Sequence, residues 1–236
     1  ENSRSQTETD KIRTDFMERL EKDFASSASF KPNKAEWLEG KWAGLEIASG
    51  EDRSGNTAVD TVILKEVGET LGKAPQGFDV NSKISKQLEG KLEMVKTGQG
   101  VDWATAEALA FGTLLIEGHD VRLSGQDVAR GTFSQRHSVF TDQTNEARYA
   151  PLNNIRIGKQ GVYEAYESPL SETAVLGFEY GYALTEPNAL VMWEGQFGDF
   201  ANGAQVIIDQ FIASSETKWL RMSGLTLLLP HGYEGQ

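Results

Sequence analysis

The sequence contains no cysteine, few prolines and no long apolar run. Without cysteine, the chain can have no disulfide, no thiolate nucleophile and no cysteine-based zinc or iron–sulfur site. No apolar stretch approaches the roughly 20 residues of a membrane-spanning helix, and residues 1–10 lack the apolar core of a signal peptide. Positive charge is also scarce, because 23 Lys and Arg residues against 35 Asp and Glu residues leave a net charge of −12. No nucleic-acid-binding surface is therefore expected, since phosphate recognition needs clustered Lys and Arg.

The composition is otherwise that of a globular protein, with 39% hydrophobic, 25% charged and 9% aromatic residues. Such a composition argues against a fully disordered chain. The length of 236 residues is about 1.5 times that of a typical domain and indicates one large domain or one domain with an appendage. The sequence starts without Met and stops just after a strand-like run, so we expect it to be a segment of a longer polypeptide.

Residues 1–100 are expected to form a helical, loop-rich linker. An amphipathic helix is predicted over residues 9–25, because four apolar residues recur there at helical spacing: Ile12, Phe16, Leu20 and Phe24. Residues 31–57 predict a connector pinned by three large apolar side chains: Trp37, Leu38 and Trp42. Two further helices are predicted over residues 58–71 and 82–96.

Residues 101–236 show the pattern of an α/β domain. Predicted helices cover residues 103–117, 171–184 and 202–214, and each precedes a short apolar run, at residues 121–123, 190–193 and 225–229. Alternating helices and short strands predict a largely parallel sheet with helices on both faces. The last run is continuously apolar, which predicts a strand that is buried on both faces.

The carboxyl ends of these strands are the expected place for a ligand. Each of the three ends, residues 124–127, 194–199 and 230–234, combines glycine with polar or aromatic side chains, which suits close approach of a ligand. Nucleotide-binding glycine motifs and the Gly-x-Ser-x-Gly elbow are absent. Asp199 and Asp209 could ligate a metal, but no partner acids stand at a recognisable spacing. The pattern alone therefore predicts a ligand-binding α/β domain of unspecified chemistry.

Three residues that could belong to such a site can each be explained without any role in binding or catalysis. Glu172 follows Ser171 at the start of a predicted helix, where an acidic residue after an N-cap is favoured by the helix dipole without any further role. His137 can be explained as an ordinary residue of a loop. His231 directly follows a proline after the last strand, so its alternative is a turn residue.

Several long runs of sequence carry a resemblance to a known family. They cover residues 108–112, 123–127, 130–137, 168–172, 177–182, 193–205 and 229–236. Together they closely resemble the decarboxylating component of 2-oxoglutarate dehydrogenase complexes, which are thiamine diphosphate enzymes. The resemblance is dense over residues 101–236 and looser over residues 18–96, and the runs differ from those of pyruvate-specific enzymes and transketolase.

The resemblance implies a linker followed by a transketolase-like pyrimidine-binding domain over residues 101–236, incomplete at its C-terminus. It further implies a homodimer that decarboxylates 2-oxoglutarate on thiamine diphosphate and passes the succinyl group to the lipoyl-bearing succinyltransferase core. The diphosphate motif, Gly-Asp-Gly with a distant Asn, has no match, so Mg²⁺ would be bound by a part of the parent outside this segment. The expected location is the mitochondrial matrix in a eukaryote and the cytoplasm in a bacterium.

The resemblance also implies roles for single residues. Glu172 would be catalytic, because it would hold the aminopyrimidine so that this ring removes the thiazolium proton. His231 would be a second catalytic residue that contacts substrate. Five residues would line the cofactor in addition to Glu172: Gln126, Asp127, Gln196, Phe197 and Phe200. Two residues would meet an anionic substrate or the lipoyl arm at the mouth of the site: Arg136 and His137.

Other functions remain open at this point. Within the family, a 2-oxoadipate-specific paralogue or a carboligating relative would carry similar sequence in this segment. The plain-core alternative applies to Phe197 and Phe200. From a different class, a non-catalytic α/β assembly module would account for the acidic linker and for an amphipathic helix that docks a partner.

Overall fold

The computed structural model describes residues 5–30, 40–45 and 55–231, and it divides into two compact units, Glu1–Glu39 and Gly40–Gln236. The described part of the first unit is one helix, α1 (Gln6–Ser27), with no buried residue. Its start is fixed by a capping box, in which the Ser5 hydroxyl accepts from the Glu8 amide while the Glu8 carboxylate accepts from the Ser5 amide. The predicted amphipathic helix is confirmed, and its apolar side chains are exposed.

The connector that the sequence predicts is described only in part. Trp37 and Leu38 lie outside the described residues. Trp42 belongs to a short 3-10 helix, Gly40–Trp42, and its indole N–H donates to the Leu184 carbonyl at 2.7 Å. Both residues of this contact belong to the second unit.

Three helices precede the sheet: α2 (Thr61–Leu71), α3 (Ser82–Thr97) and α4 (Trp103–Ile116). The Asp102 carboxylate caps α4 by accepting from the Thr105 amide at 2.7 Å. Side chains of all three helices share one core with the sheet, among them Val67, Val95 and Phe111. The linker over residues 1–100 and the domain over residues 101–236 stay a prediction from the sequence.

The sheet has four parallel strands in the order β4-β1-β5-β6, and a separate antiparallel hairpin is formed by β2 and β3. The strands are β1 (Val121–Gly125), β2 (Phe140–Thr141), β3 (Arg148–Tyr149), β4 (Tyr163–Glu167), β5 (Leu190–Glu194) and β6 (Thr226–Leu228). Short 3-10 helices cover Pro151–Asn154 and Asp199–Ala204. Helix α5 (Glu172–Thr185) lies between β4 and β5 in the sequence.

The core lies on both faces of this sheet. Successive strand residues point to opposite faces, so Met192 packs with α2 and α4 while its neighbour Trp193 packs with Val175 and Leu176 of α5. The parallel sheet and the helices on its two faces confirm the predicted fold class.

Two local predictions are wrong, and the elements predicted from the sequence do not include β4, which pairs with β1. The predicted helix 202–214 is divided into a 3-10 segment, α6 (Gln205–Ile207) and a π-helical turn, Ile208–Ile212. In the described part of the chain β6 pairs with β5 alone, so its residues are only partly buried.

Close packing between α2 and α3 depends on a glycine. A Cβ on Gly68 would lie 2.3 Å from Cγ1 of Val95, whereas a Cβ on Gly90 of α3 would meet nothing within 4 Å. We expect Gly68→Ala to lower the free energy of unfolding by roughly 1–3 kcal/mol through overpacking. Gly90→Ala is the matched control and should raise it by up to about 1 kcal/mol through helix propensity. Urea denaturation measures both, and equal effects of the two substitutions would contradict the packing assignment.

Candidate functional site

The candidate site lies at the carboxyl edge of the parallel sheet. Gln126 follows β1, Gln196 follows β5 and His231 follows β6. The N-terminus of α5 contributes Glu172 to this edge, because the Gln126 side-chain amide donates to Glu172 Oε1 at 3.1 Å. The predicted edge of the sheet is therefore where these side chains lie.

Glu172 is the first residue of α5, and Ser171 is its N-cap, with the Ser171 hydroxyl accepting from the Ala174 amide at 3.4 Å. An acidic side chain at a helix N-terminus lies in the favourable field of the helix dipole. On its other side the carboxylate faces Gly203, where a Cβ would lie 3.1 Å from Glu172 Oε2. The Gly203 carbonyl in turn accepts from the Thr173 hydroxyl. The glycine thus leaves space beside one carboxylate oxygen while Gln126 holds the other.

A crevice of about 10 Å³ connects Glu172 to the strand ends. It is lined by Gln126, Ser168, Pro169, Glu172, Val175, Trp193, Glu194 and Gln196. A volume of this size holds about one water molecule. A larger ligand would therefore lie against the rim of the crevice, with only its edge facing the carboxylate.

Partly exposed aromatic rings belong to the segments that follow β1 and β5. The rings of Phe133 and Phe197 meet edge to face, with centroids 5.6 Å apart. Phe197 has a φ of +56°, which is strained for a residue with a bulky side chain. Phe197 is 41% exposed and Phe200 49% exposed. Neither ring belongs to the core, so the plain-core alternative does not fit.

Asp127 and Gln196 join the loops after β1 and β5. The Gln196 amide donates to Asp127 Oδ2 at 3.3 Å, and Arg130 forms an ion pair with the same oxygen at 2.7 Å. Asp127 has a φ of +57°, a conformation that aspartate tolerates better than most residues. These contacts hold two of the predicted cofactor residues side by side.

His231 lies at the end of β6 and approaches the loop after β5. Its Nε2 is 3.6 Å from Oδ1 of Asp199, and both side chains are partly exposed. Asp199 is thus close to a histidine, but no group of three or more His, Asp or Glu residues able to hold a metal occurs in the described ranges. No helix in those ranges is long and apolar enough to cross a membrane.

Arg136 does not lie where the sequence placed it. Its side chain is 4% exposed and pairs with two carboxylates, Glu107 of α4 and Glu194 at the end of β5. Hydrogen bonds from Arg136 to Glu107 span 2.6 and 3.1 Å, and another reaches Glu194 Oε1 at 3.1 Å. The guanidinium is therefore buried in ion pairs with Glu107 and Glu194. The predicted contact with an anionic substrate does not fit this placement.

His137 is partly buried beside the same cluster. Burial lowers the pKa of its imidazole, and the nearby cations Lys91 and Arg130 lower this pKa further. Its Nε2 lies 3.3 Å from the Ser134 hydroxyl. His137 lines a small internal cavity of about 20 Å³ together with Lys91 and Arg136. An imidazole held neutral does not supply the cation that the sequence predicts for the mouth of the site.

The sequence analysis did not identify the two carboxylates that pair with Arg136, Glu107 and Glu194. Glu194 is 2% exposed and Glu107 nearly buried. Glu194 ends an otherwise apolar strand, and a charged residue in that position is the one sequence signal that could have indicated a buried ion pair.

The lowered pKa of His137 gives a test of its environment. The unfolded chain binds a proton near pH 6.5, whereas the folded chain resists protonation until lower pH. Stability is therefore unaffected above about pH 6.5 and falls as the pH decreases toward the folded-state pKa. We expect His137→Gln to flatten this dependence below about pH 6.5. A histidine NMR signal for His137 that titrates above pH 6.5 would contradict the burial effect.

Comparison with known proteins agrees with this fold. Residues 99–236 match the family described as "Transketolase, pyrimidine binding domain". The chain is also similar to proteins named 2-oxoglutarate dehydrogenase E1 component from Brucella ovis, Brucella canis and Brucella melitensis biotype 2. It is 58% identical to each over 234 residues, which cover 98% of this chain and 23% of the relative, so the chain spans less than a quarter of their length. Because the family match covers more than half of the sequence, the chain belongs to the transketolase pyrimidine-binding domain family.

Proposed function

We propose that this chain is the pyrimidine-binding part of a 2-oxoglutarate dehydrogenase E1 component that uses thiamine diphosphate. Such an enzyme decarboxylates 2-oxoglutarate and transfers the succinyl group to a lipoyl group on the succinyltransferase core. The 58% identity to proteins of that name supports the proposal. The structural observation that carries it is the Glu172 carboxylate, which begins α5 at the carboxyl edge of the sheet and is held there by Gln126.

The residues at this edge fit the pyrimidine ring of thiamine diphosphate. Glu172 offers a carboxylate to a ring nitrogen, and Gly203 leaves space where a Cβ would lie 3.1 Å from Glu172 Oε2. Phe197 and Phe200 offer partly exposed rings to a flat ligand. When bound, thiamine diphosphate supplies the carbanion that adds to the 2-oxo acid and the electron sink for loss of CO₂.

In this proposal each side chain at the site has a separate role. Glu172 shares a proton with the ring nitrogen and so sets the protonation state of the pyrimidine. Gln126 orients the carboxylate through its hydrogen bond at 3.1 Å. Asp127 acts through Gln196, because its carboxylate accepts a hydrogen bond from the Gln196 side-chain amide. Together the two residues fix the loops that bear the aromatic rings.

We assign substrate contact to His231, because it follows β6 at the same edge of the sheet. Its imidazole can donate a hydrogen bond to an anionic oxo acid. Arg136 and His137 are removed from this role, since the first is buried in ion pairs and burial favours the neutral form of the second.

The remaining parts of the proposal concern the parent protein. A homodimer would complete the cofactor site, with Mg²⁺ and the diphosphate bound by sequence outside this segment. The relatives reported above are bacterial, which supports the cytoplasm rather than the mitochondrial matrix. The same relatives favour 2-oxoglutarate over 2-oxoadipate as the substrate, because their name specifies it.

Glu172→Gln tests the central assignment in a full-length E1 polypeptide that carries this segment. We expect thiazolium C2 proton exchange, measured by proton NMR, to slow by about 10²–10⁴-fold, which is the usual effect of removing a general acid–base group. Glu216→Gln is the matched control, because Glu216 is an exposed acidic residue in the first turn of another helix. Exchange that stays at the unmodified rate in Glu172→Gln would rule out the proposed role.

His231→Ala tests substrate contact in the same polypeptide. We expect kcat/KM for 2-oxoglutarate to fall by roughly 10- to 150-fold, equivalent to about 1.5–3 kcal/mol for a hydrogen bond to a charged group. The Kd for thiamine diphosphate should stay the same. His119→Ala is the control, since His119 precedes β1 at the opposite end of that strand. A loss of cofactor affinity in His231→Ala, with kcat/KM otherwise preserved, would instead place His231 at the cofactor.

A further inference from the structure

Two phenylalanine rings from different segments meet at the carboxyl edge of the sheet. The ring of Phe133, in the segment after β1, contacts the ring of Phe197, in the loop after β5, with centroids 5.6 Å apart and ring planes at 84°. Phe133 is 44% exposed and Phe197 is 41% exposed. Among the ring pairs in the described part of the chain, no other has two rings that are both more than 40% exposed. Burial of apolar area in the core therefore does not account for this contact.

The loop that carries Phe197 is fixed through its backbone. The Gly195 amide donates to the Leu228 carbonyl of β6 at 3.0 Å, and the Gly198 amide donates to the Gly195 carbonyl at 2.8 Å. Phe197 lies between these two glycines with a φ of +56°, which is unfavourable for a residue with a bulky side chain. The backbone determines where the side chain begins, whereas the direction of the ring depends on its rotamer and on the side chains that it contacts.

Phe133 belongs to a turn that has its own internal hydrogen bonds. The Phe133 amide donates to Oε1 of the Gln135 side chain at 2.9 Å, and the Ser134 amide donates to the Gly131 carbonyl at 2.9 Å. A Cβ on Gly131 would lie 2.5 Å from Gln135 Oε1, so the glycine leaves room for the side chain that holds the Phe133 amide. Arg136, with its buried ion pairs, follows directly and anchors the end of the turn.

A second contact joins the same two segments and leads to the crevice. The Gln196 side-chain amide donates to Asp127 Oδ2 at 3.3 Å, and Gln196 lines the crevice together with Glu172. Phe197 is the next residue along the chain. The two segments are therefore joined at consecutive residues, by a hydrogen bond at Gln196 and by a ring contact at Phe197.

We propose that Phe133 is a positioning residue, which holds the ring of Phe197 in the orientation that a flat ligand needs for stacking. An edge-to-face contact covers at most one face of a ring, so Phe133 leaves at least one face of Phe197 uncovered. The inference rests on the proposed function, in which the flat ligand is the pyrimidine ring of thiamine diphosphate. It adds that Phe133 acts through Phe197 and does not itself contact the cofactor.

The test measures Kd by calorimetric titration of a full-length E1 polypeptide that carries this segment, with thiamine diphosphate and inorganic diphosphate as two separate probes. Phe133→Leu keeps an apolar side chain but removes the ring. We expect it to weaken binding of thiamine diphosphate by about 2- to 12-fold, the fold-change that corresponds to an aromatic pair. The Kd for inorganic diphosphate should stay the same, because in the proposed function that group is bound outside this segment. Phe133→Tyr keeps the ring and should keep the original Kd for thiamine diphosphate.

A double-mutant cycle shows whether Phe133 acts through Phe197. Phe197→Leu alone should weaken binding of thiamine diphosphate at least as much as Phe133→Leu does. The double variant should bind no more weakly than Phe197→Leu, because without the Phe197 ring there is nothing for Phe133 to orient.

Phe78→Leu is the matched control. Phe78 also contacts an aromatic ring, that of Tyr149 of β3 with centroids 6.1 Å apart, and neither residue lines the crevice. The substitution should leave the Kd for thiamine diphosphate unchanged. Thermal unfolding of the cofactor-free proteins checks that every variant folds, and Phe133→Met replaces Phe133→Leu if the latter does not.

An unchanged Kd for thiamine diphosphate in Phe133→Leu would overturn the inference. Additive losses in the double variant would overturn it as well, because Phe133 would then act independently of Phe197. Equal weakening of both probes would assign Phe133 a purely structural role. Failure of the proposed function has a different signature, which is unchanged thiazolium exchange in Glu172→Gln. If Glu172→Gln slows exchange while Phe133→Leu keeps the original Kd, the proposed function stands and only the inference about Phe133 fails.

Discussion

The parallel pairing of β1 with β5 is the constraint from which the candidate site follows. In this register Gly125 lies opposite Glu194, and a Cβ on Gly125 would lie 2.4 Å from the Glu194 carbonyl oxygen. Only glycine can end β1 this close to β5, because its φ of +151° also disfavours other residues. The chain passes directly into Gln126, whose amide reaches Glu172 of α5. Strand pairing thereby brings three distant parts of the sequence to one crevice.

Electrostatics in the interior follow the same two strands. Arg122 of β1 points toward α5, and Glu194 of β5 points toward α4, where Arg136 meets it. Each buried arginine is held by two carboxylates, because an isolated charge in this environment would be severely destabilising. Such clusters add little net stability compared with apolar packing. Their consequence here is geometric, since each one fixes a helix to the sheet at a defined position.

The loops at the carboxyl edge have features that packing of the core does not explain. Phe197 keeps a left-handed backbone and a partly exposed ring, a combination that burial of apolar area does not explain. The loop is held by hydrogen bonds from the Gly195 amide to the Leu228 carbonyl at 3.0 Å and from the Gly198 amide to the Gly195 carbonyl at 2.8 Å. These backbone hydrogen bonds hold the loop that carries the partly exposed ring of Phe197.

The sequence by itself determined the helices that begin at Trp103 and Glu172, the apolar strands and the carboxyl edge of the sheet, because periodicity and capping are local properties. It could not determine β4, whose polar residues form an edge strand only through pairing with β1. The partners of Arg136 lie 29 and 58 residues away, so no local pattern identifies them. Whether that arginine faces solvent or the interior was decided only by the tertiary structure, since burial and charge pairing depend on which distant segments meet.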